Sequence, residues 1–508
     1  MKYSTPTCLL DGKSSGTVLW RGRGERTLAL ALGLVIAISF HARADSATPQ
    51  ASPPANSKFQ ITPHMRGAPL PSGPNAPSEK DFQKIYTAWL NRTIMAHYPV
   101  DKDPAGAAFV RAAVNFLGSN PKFSASSDLV SQERAFLLPS VNEPALLFMI
   151  GAIEPPSVRQ RAAFDKALSL FPGSAYPKFI WFTAAANVGE VAHNSYVNAD
   201  QLKTDDELSL KYLDEGLHDD SFLPSEMSAL RWRFGAGSFK DFFSRNQQRV
   251  ADIFESSSNI DPWVKNYVEG VKFVNAAWDA RGRDWANTVT PQGWQGFAQN
   301  LAFARAHLVD SWNQNPHDPA AAGEMMSVCM GENEEPDTMR TWFDRAVAAD
   351  FDYLEAYANM RWGLRPRWLG SYAEMNAFGQ ECAATGRYDT LVPYQRVVAA
   401  LDISADSEDH GAQFQDPETA SEVLLVLNAC LAQPKPNISV PVAHTIAAIV
   451  AHKAGRMDEV MRHLAALDYK PVMASWSADL DDLPALVSQI QAPAAPQTPP
   501  APPSPPTP

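Results

Sequence analysis

The sequence predicts an all-α protein of stacked helical hairpins. Three observations carry this reading. Apolar residues recur at the three-to-four-residue step of an amphipathic helix in segment after segment, and no run of alternating β-branched residues competes. The segments come in pairs with short breaks between them. In "WFDRAVAADFDYLEAY" (Trp342 to Tyr357), one helix ends at Asp350-Phe351-Asp352 and a new apolar stretch begins at once. Finally, apolar positions repeat at a fixed step: Leu308, Phe343 and Phe378 lie 35 residues apart, as do Pro316 and Phe351, and Met325 and Met360.

Taken in order, residues 1–44 read as an export signal. "RGRGER" (Arg21 to Arg26) is a basic flank, "TLALALGLVIAISF" (Thr27 to Phe40) an apolar run of 14 residues, and "ARA" (Ala42 to Ala44) a small-x-small cleavage pattern that predicts Asp45 as the new N-terminus. The run is short beside the roughly 20 residues of a membrane-spanning helix; an uncleaved anchor is the alternative. Residues 45–77, with "ATPQASPPANS", read as a disordered Pro/Ala/Ser-rich linker. Residues 78–140 form an N-terminal helical region, opened by "SEKDFQKIYTAWLNRTIMAHY", in which Phe82, Ile85, Tyr86, Trp89, Leu90 and Ile94 share one helical face.

Residues 141–490 form the main helical domain. The expected pairs are 143–152 with 156–170, 175–192 with 205–218, 225–235 with 238–256, 261–281 with 291–314, and 318–331 with 336–350. Next come 353–364 with 371–385, 391–403 with 417–432, and 440–454 with 457–468. Residues 491–508 are a Pro-rich tail with nine Pro in the last 17 residues; such a composition forms neither helix nor central strand. It reads as a solvated tail, a spacer or a ligand for another module.

The breaks share a pattern. Phe164, Ala167 and Pro172 stand at spacings of three and five, and Phe343, Ala346 and Phe351 repeat them. A small residue lets two helices approach, and the aromatic fills the groove beside it. With the 35-residue step, this resembles the tetratricopeptide-repeat-like helical superfamily, most closely over 300–386. The resemblance implies a right-handed superhelix in which each hairpin buries its apolar face against its neighbours. Two segments, "WDARGRDWANTVTPQGWQGF" (Trp278 to Phe297) and "RPRWLGSYAEMNAFGQECAATGRYDTLVP" (Arg365 to Pro393), also resemble an uncharacterised family of bacterial helical-repeat proteins with a "PRWxGS…FxxxCAxTGR" type motif. That resemblance implies no catalytic residue.

Composition narrows the function. The chain of 508 residues carries 43 Lys and Arg against 56 Asp and Glu; without residues 1–44 the balance is 37 to 54, a net charge of −17. So acidic a surface argues against nucleic acid and against anionic membranes, because phosphate binding needs clustered Lys and Arg. After export three cysteines remain, Cys329, Cys382 and Cys430, too few for a disulfide scaffold and read as buried apolar residues. Their odd number leaves at least one free thiol or an intermolecular bond.

Catalytic spacings are missing: the chain has no G-x-x-x-x-G-K-[ST], H-E-x-x-H or G-x-S-x-G. "SNPK" (Ser119 to Lys122) matches S-x-x-K by letter alone, and His444 and His452, eight apart, are too distant to share a metal. "GENEEPD" (Gly331 to Asp337) lacks the alternating ligands of a calcium loop and reads as carboxylates at a helix start. No cofactor and no metal site is expected.

Two Arg/Trp clusters remain as candidate partner-binding sites. One holds Trp278, Arg281, Arg283, Trp285 and Trp294; the other holds Arg361, Trp362, Arg365, Arg367, Trp368 and Tyr372. Guanidinium on an indole face gains cation–π energy, and its fork binds carboxylates. The clusters read either as a groove for an acidic peptide or glycan, or as struts that knit irregular hairpin links. The expected function is an exported, non-enzymatic scaffold, periplasmic or extracellular, that binds a protein or peptide, an acidic one among the candidates, without stable membrane insertion once the signal is cleaved. The alternative is an α/α-toroid enzyme acting on a polysaccharide, kept open by the 13 Trp.

Overall fold

The computed structural model describes residues 79–119, 127–155, 157–194, 199–235, 239–282, 286–407, 411–472, 486–488 and 490. The expected signal, linker and Pro-rich tail lie outside these residues, as do Arg283 and Trp285. Among the described residues there is no strand. The helices are α1 Glu79–Thr93, α2 Pro104–Ser119, α3 Ser127–Arg134, α4 Pro144–Ile153, α5 Val158–Leu170, α6 Lys178–Asn194, α7 Ala199–Leu217, α8 Met227–Gly235, α9 Lys240–Ser256 and α10 Pro262–Arg281. They continue as α11 Pro291–Gln314, α12 Ala320–Gly331, α13 Pro336–Ala349, α14 Leu354–Gly363, α15 Tyr372–Ala384, α16 Gln395–Asp406, α17 Pro417–Leu431, α18 Val440–Lys453 and α19 Met457–Ala465.

Local chemistry sets several of these ends. Five helices of the main domain, α4, α10, α11, α13 and α17, begin with Pro, whose missing N–H costs nothing at a first helical position. Ser157, Thr290, Ser371 and Asp416 accept hydrogen bonds from the backbone N–H groups of Gln160, Gly293, Glu374 and Thr419. Gly282, which ends α10, has φ +78°, a left-handed conformation that a Cβ would strain.

Helices pack in neighbouring pairs, as hairpins: α4 with α5, α6 with α7, α10 with α11, α12 with α13, and α18 with α19. In the break at 350–352, Phe351 is buried and its carbonyl accepts the Tyr357 hydroxyl at 2.7 Å. Phe343 and Ala346 are fully buried, and the Phe343 ring meets Tyr357 at 5.1 Å and Phe378 at 5.3 Å, both edge-on. Cys329, Cys382 and Cys430 are free and buried.

Three pairings differ from the sequence expectation. Helices α8 and α9 touch only lightly, α9 lying instead on α10 and α7, and α16 packs more closely on α15 than on α17, which lies on α18. The segments expected to pair as 353–364 with 371–385 do not pack as a hairpin: α14 lies on α12 and α13, while α15 packs most closely on α16. The link between α14 and α15 is itself ordered. The Leu369 N–H donates to the Gly363 carbonyl at 3.0 Å, and a Cβ on Gly370 would sit 2.6 Å from the Leu364 carbonyl oxygen. Gly379, where an added Cβ would meet Ala399 and Arg396 at 3.2 Å, lets α15 and α16 come together.

Two apolar cores result. The larger runs from Tyr86 to Val392, across the expected boundary at 140/141, and takes in Ile403. The smaller runs from Val397 and Ala400 to Leu486 and Val487, so α16 feeds both. Helix α1 docks far along the chain: the Trp89 indole N–H donates to the Ser221 carbonyl at 2.9 Å, and Arg92 grips Glu226 at 3.0 and 3.1 Å. No helix of the described residues is long and apolar enough to cross a membrane.

Candidate functional site

The end of the α10–α11 hairpin builds the first half of the site. Trp278 lies in the last turn of α10 and Trp294 in the first turn of α11, so antiparallel pairing sets them at the same end. Phe297 stands between them, its ring 5.0 Å from Trp278 and 5.8 Å from Trp294, both edge-on.

The second half comes from the α14–α15 link. Trp368 reaches the α10–α11 end and meets Trp278 edge-on at 5.8 Å. The Arg281 guanidinium carbon then lies 5.5 Å from the Trp294 ring, 5.7 Å from Trp278 and 5.9 Å from Trp368. Two clusters expected separately are thus joined around one cation. Desolvation among the rings lowers the Arg281 pKa, and its Nη1 donates to the Gly282 carbonyl at 3.2 Å. Trp294 is 39% exposed and forms the outer face, whereas the Trp368 indole N–H is buried without an acceptor among the described residues.

The remaining arginines of the second cluster face α16. Arg361 is fully buried, donates to Asp402 at 2.9 Å and also binds Gln395. Arg365 lies 3.2 Å from Asp402 and 3.1 Å from Asp406, and Arg367 pairs with Asp406. The Tyr372 hydroxyl donates to the Asp406 carbonyl at 2.9 Å. Arg365 and Arg367 stack over Trp362 at 4.4 and 5.3 Å. Desolvation lowers the Arg367 pKa despite Asp406; desolvation, with Asp406 beside it, raises that of Tyr372. Three guanidinium groups meet two carboxylates, so the cluster latches α14 and its link to α16 and retains one excess positive charge.

Asp402 and Asp406 are the residues that sequence reasoning missed. A signal existed: Arg361 and Arg365 stand 41 residues before Asp402 and Asp406, and Arg340 stands 41 before Glu381, which it binds at 2.6 Å.

The other sequence candidates are placed as well. His444 partners His463, with the two Nδ1 atoms 2.9 Å apart, and not His452. In the "GENEEPD" loop, Glu332 and Glu334 both pair with Arg305. Among the described residues, no group of three His, Cys, Asp or Glu side chains is set to hold a metal ion. What the joined face can do chemically is present an indole surface, flanked by guanidinium, to a carboxylate, a carbonyl or an apolar ring. The chain matches no family model, no curated protein and no solved structure.

Proposed function

We infer that the protein is an exported, tetratricopeptide-like scaffold that holds a protein partner in the cell envelope or outside the cell. The observation that carries this is the meeting of Trp278, Trp294 and Trp368 around Arg281, with Trp294 at the surface. Trp and Arg are enriched among residues that dominate binding energy, and side chains already held in place lose little freedom on association. The apolar run at 27–40 with its "ARA" supports export, and the 35-residue step supports the repeat reading. A partner segment that sets a carboxylate beside an aromatic or aliphatic side chain suits this face. Such a segment meets repulsion over most of a surface with net charge −17, and local excess positive charge beside Trp368.

The test is affinity capture from the organism's own envelope fraction, with the wild-type chain and Trp294→Ala in parallel and bound proteins counted by mass spectrometry. The variant is expected to lose at least tenfold of one or more partners while still unfolding in one cooperative urea transition, its stability lowered by the roughly 1–2 kcal/mol that its lost contacts with Phe297 and Arg281 cost. Equal capture by both chains refutes the reading.

A further inference from the structure

The Pro-rich tail has a finer order than its composition suggests. Pro493, Pro496, Pro499, Pro502, Pro505 and Pro508 stand at every third residue without a gap, and Pro500, Pro503 and Pro506 form a second such row. A polyproline II helix has three residues per turn, so this period sets six prolines along one edge and three along the next. Proline-rich edges of this kind dock on aromatic-lined surfaces: the ring stacks on an indole, and a backbone carbonyl, which proline's missing N–H leaves short of donors, accepts from a side chain.

The joined Trp face has the complementary chemistry. Three indoles lie within 6 Å of one guanidinium, with Trp278 and Trp368 5.8 Å apart, a cluster on the scale of one turn of such a helix at about 9 Å. Reach is ample. Leu486 and Val487 share an apolar core with Val397 and Ala400 of α16, and at the far end of α16 Asp406 holds Arg367 and Tyr372, which flank Trp368. Helix α16 has 12 residues and is about 18 Å long, whereas residues 491–508 extend to about 56 Å as polyproline II. The tail carries no charged side chain, so the acidic body does not repel it.

From this we propose that residues 492–508 of the same chain dock on the Trp278/Trp294/Trp368 face and compete there with outside partners. The proposal rests on that face being a binding surface. It adds a cis competitor at the millimolar effective concentration of a short tether.

The test uses the full chain and a full-length variant with Pro496, Pro499, Pro502 and Pro505 all changed to Ala. A fluorescein-labelled synthetic peptide of residues 492–508 is titrated against each, read by anisotropy. It is expected to bind the tail variant about tenfold more tightly than the unaltered chain, whose own tail competes. Adding Trp294→Ala to the tail variant is expected to weaken peptide binding at least tenfold while the chain still unfolds in one cooperative urea transition. Absent binding, equal affinity for both chains, or indifference to Trp294→Ala overturns the proposal. So does light scattering that shows a dimer for the unaltered chain and a monomer for the tail variant, since the tail then serves a second copy. Envelope capture that depends on Trp294 while the peptide ignores it overturns the tail proposal alone and leaves the scaffold reading standing.

Discussion

Changing Arg365 and Arg367 together to Ala strips both cations from Asp406. The Asp406 side chain is 12% exposed and that of Arg365 11%, so this is close to a buried pair, and removing one partner of such a pair costs about 3 kcal/mol. Arg367 is 40% exposed, and its pairing adds only about 0.5 kcal/mol after solvent screening. Lost stacking on Trp362 adds roughly 0.5 kcal/mol more. The double variant is therefore expected to be less stable by about 4 kcal/mol, mostly because it leaves a buried carboxylate uncompensated. Adding Asp406→Ala removes that carboxylate. The triple variant, with fewer contacts, should regain about 1–2 kcal/mol over the double. Tyr372 keeps its bond to the residue 406 carbonyl in every variant. Urea unfolding followed by circular dichroism and tryptophan fluorescence reads all three. A double variant that unfolds at the wild-type urea concentration shows that the cluster is no latch. A triple variant weaker than the double shows that the buried-charge reasoning is wrong.

Three further expectations follow the same logic. Phe343→Ala empties a fully buried site between Tyr357 and Phe378 and should cost about 3–5 kcal/mol; an unchanged urea midpoint would contradict the packing. Asp318→Ala removes the carboxylate 3.0 Å from Arg231, which is 1% exposed, and breaking this buried pair should cost about 3 kcal/mol; a loss below 1 kcal/mol in the same assay speaks against it. Burial, then Arg462 and His444, push the His463 pKa down to about 4, below the usual value near 6.5. A folded-state pKa below the unfolded one means stability that is complete above pH 6.5 and lost as pH falls toward 4, by about 3 kcal/mol at most; His463→Gln should flatten this part of the profile, and matching profiles refute it.

Most helices and several of their ends were legible in the sequence because the forces that set them act within a few residues. Helix α7, however, begins at Ala199, ahead of the expected 205, and α16 runs Gln395–Asp406 where 391–403 was expected. Periodicity placed one helix at 291–314, and α11 is Pro291–Gln314, begun by Pro at the first helical position and the Thr290 cap. Buried Phe343, Ala346, Met325 and Met360 follow from the same local pattern. The residue types of the site were legible too, since Arg and Trp at a hairpin link stand out in any acidic helical chain. Their partners were not. Trp278 and Trp368 meet across 90 residues, Trp89 reaches Ser221 across 132, and Arg361 and Arg365 are answered by carboxylates 41 positions on. Each of these contacts depends on how hairpins stack, and stacking is the sum of many side-chain volumes. The pairing of α15 with α16 turns on backbone approach at Gly379, where Arg396 and Ala399 of the next helix come close, and on the folded link at Leu369 and Gly370, which bonds and packs back on Gly363 and Leu364. Local hydrogen bonding and caps thus determine where helices run, whereas only the packed whole decides which links touch, and with them the Trp face and its latch.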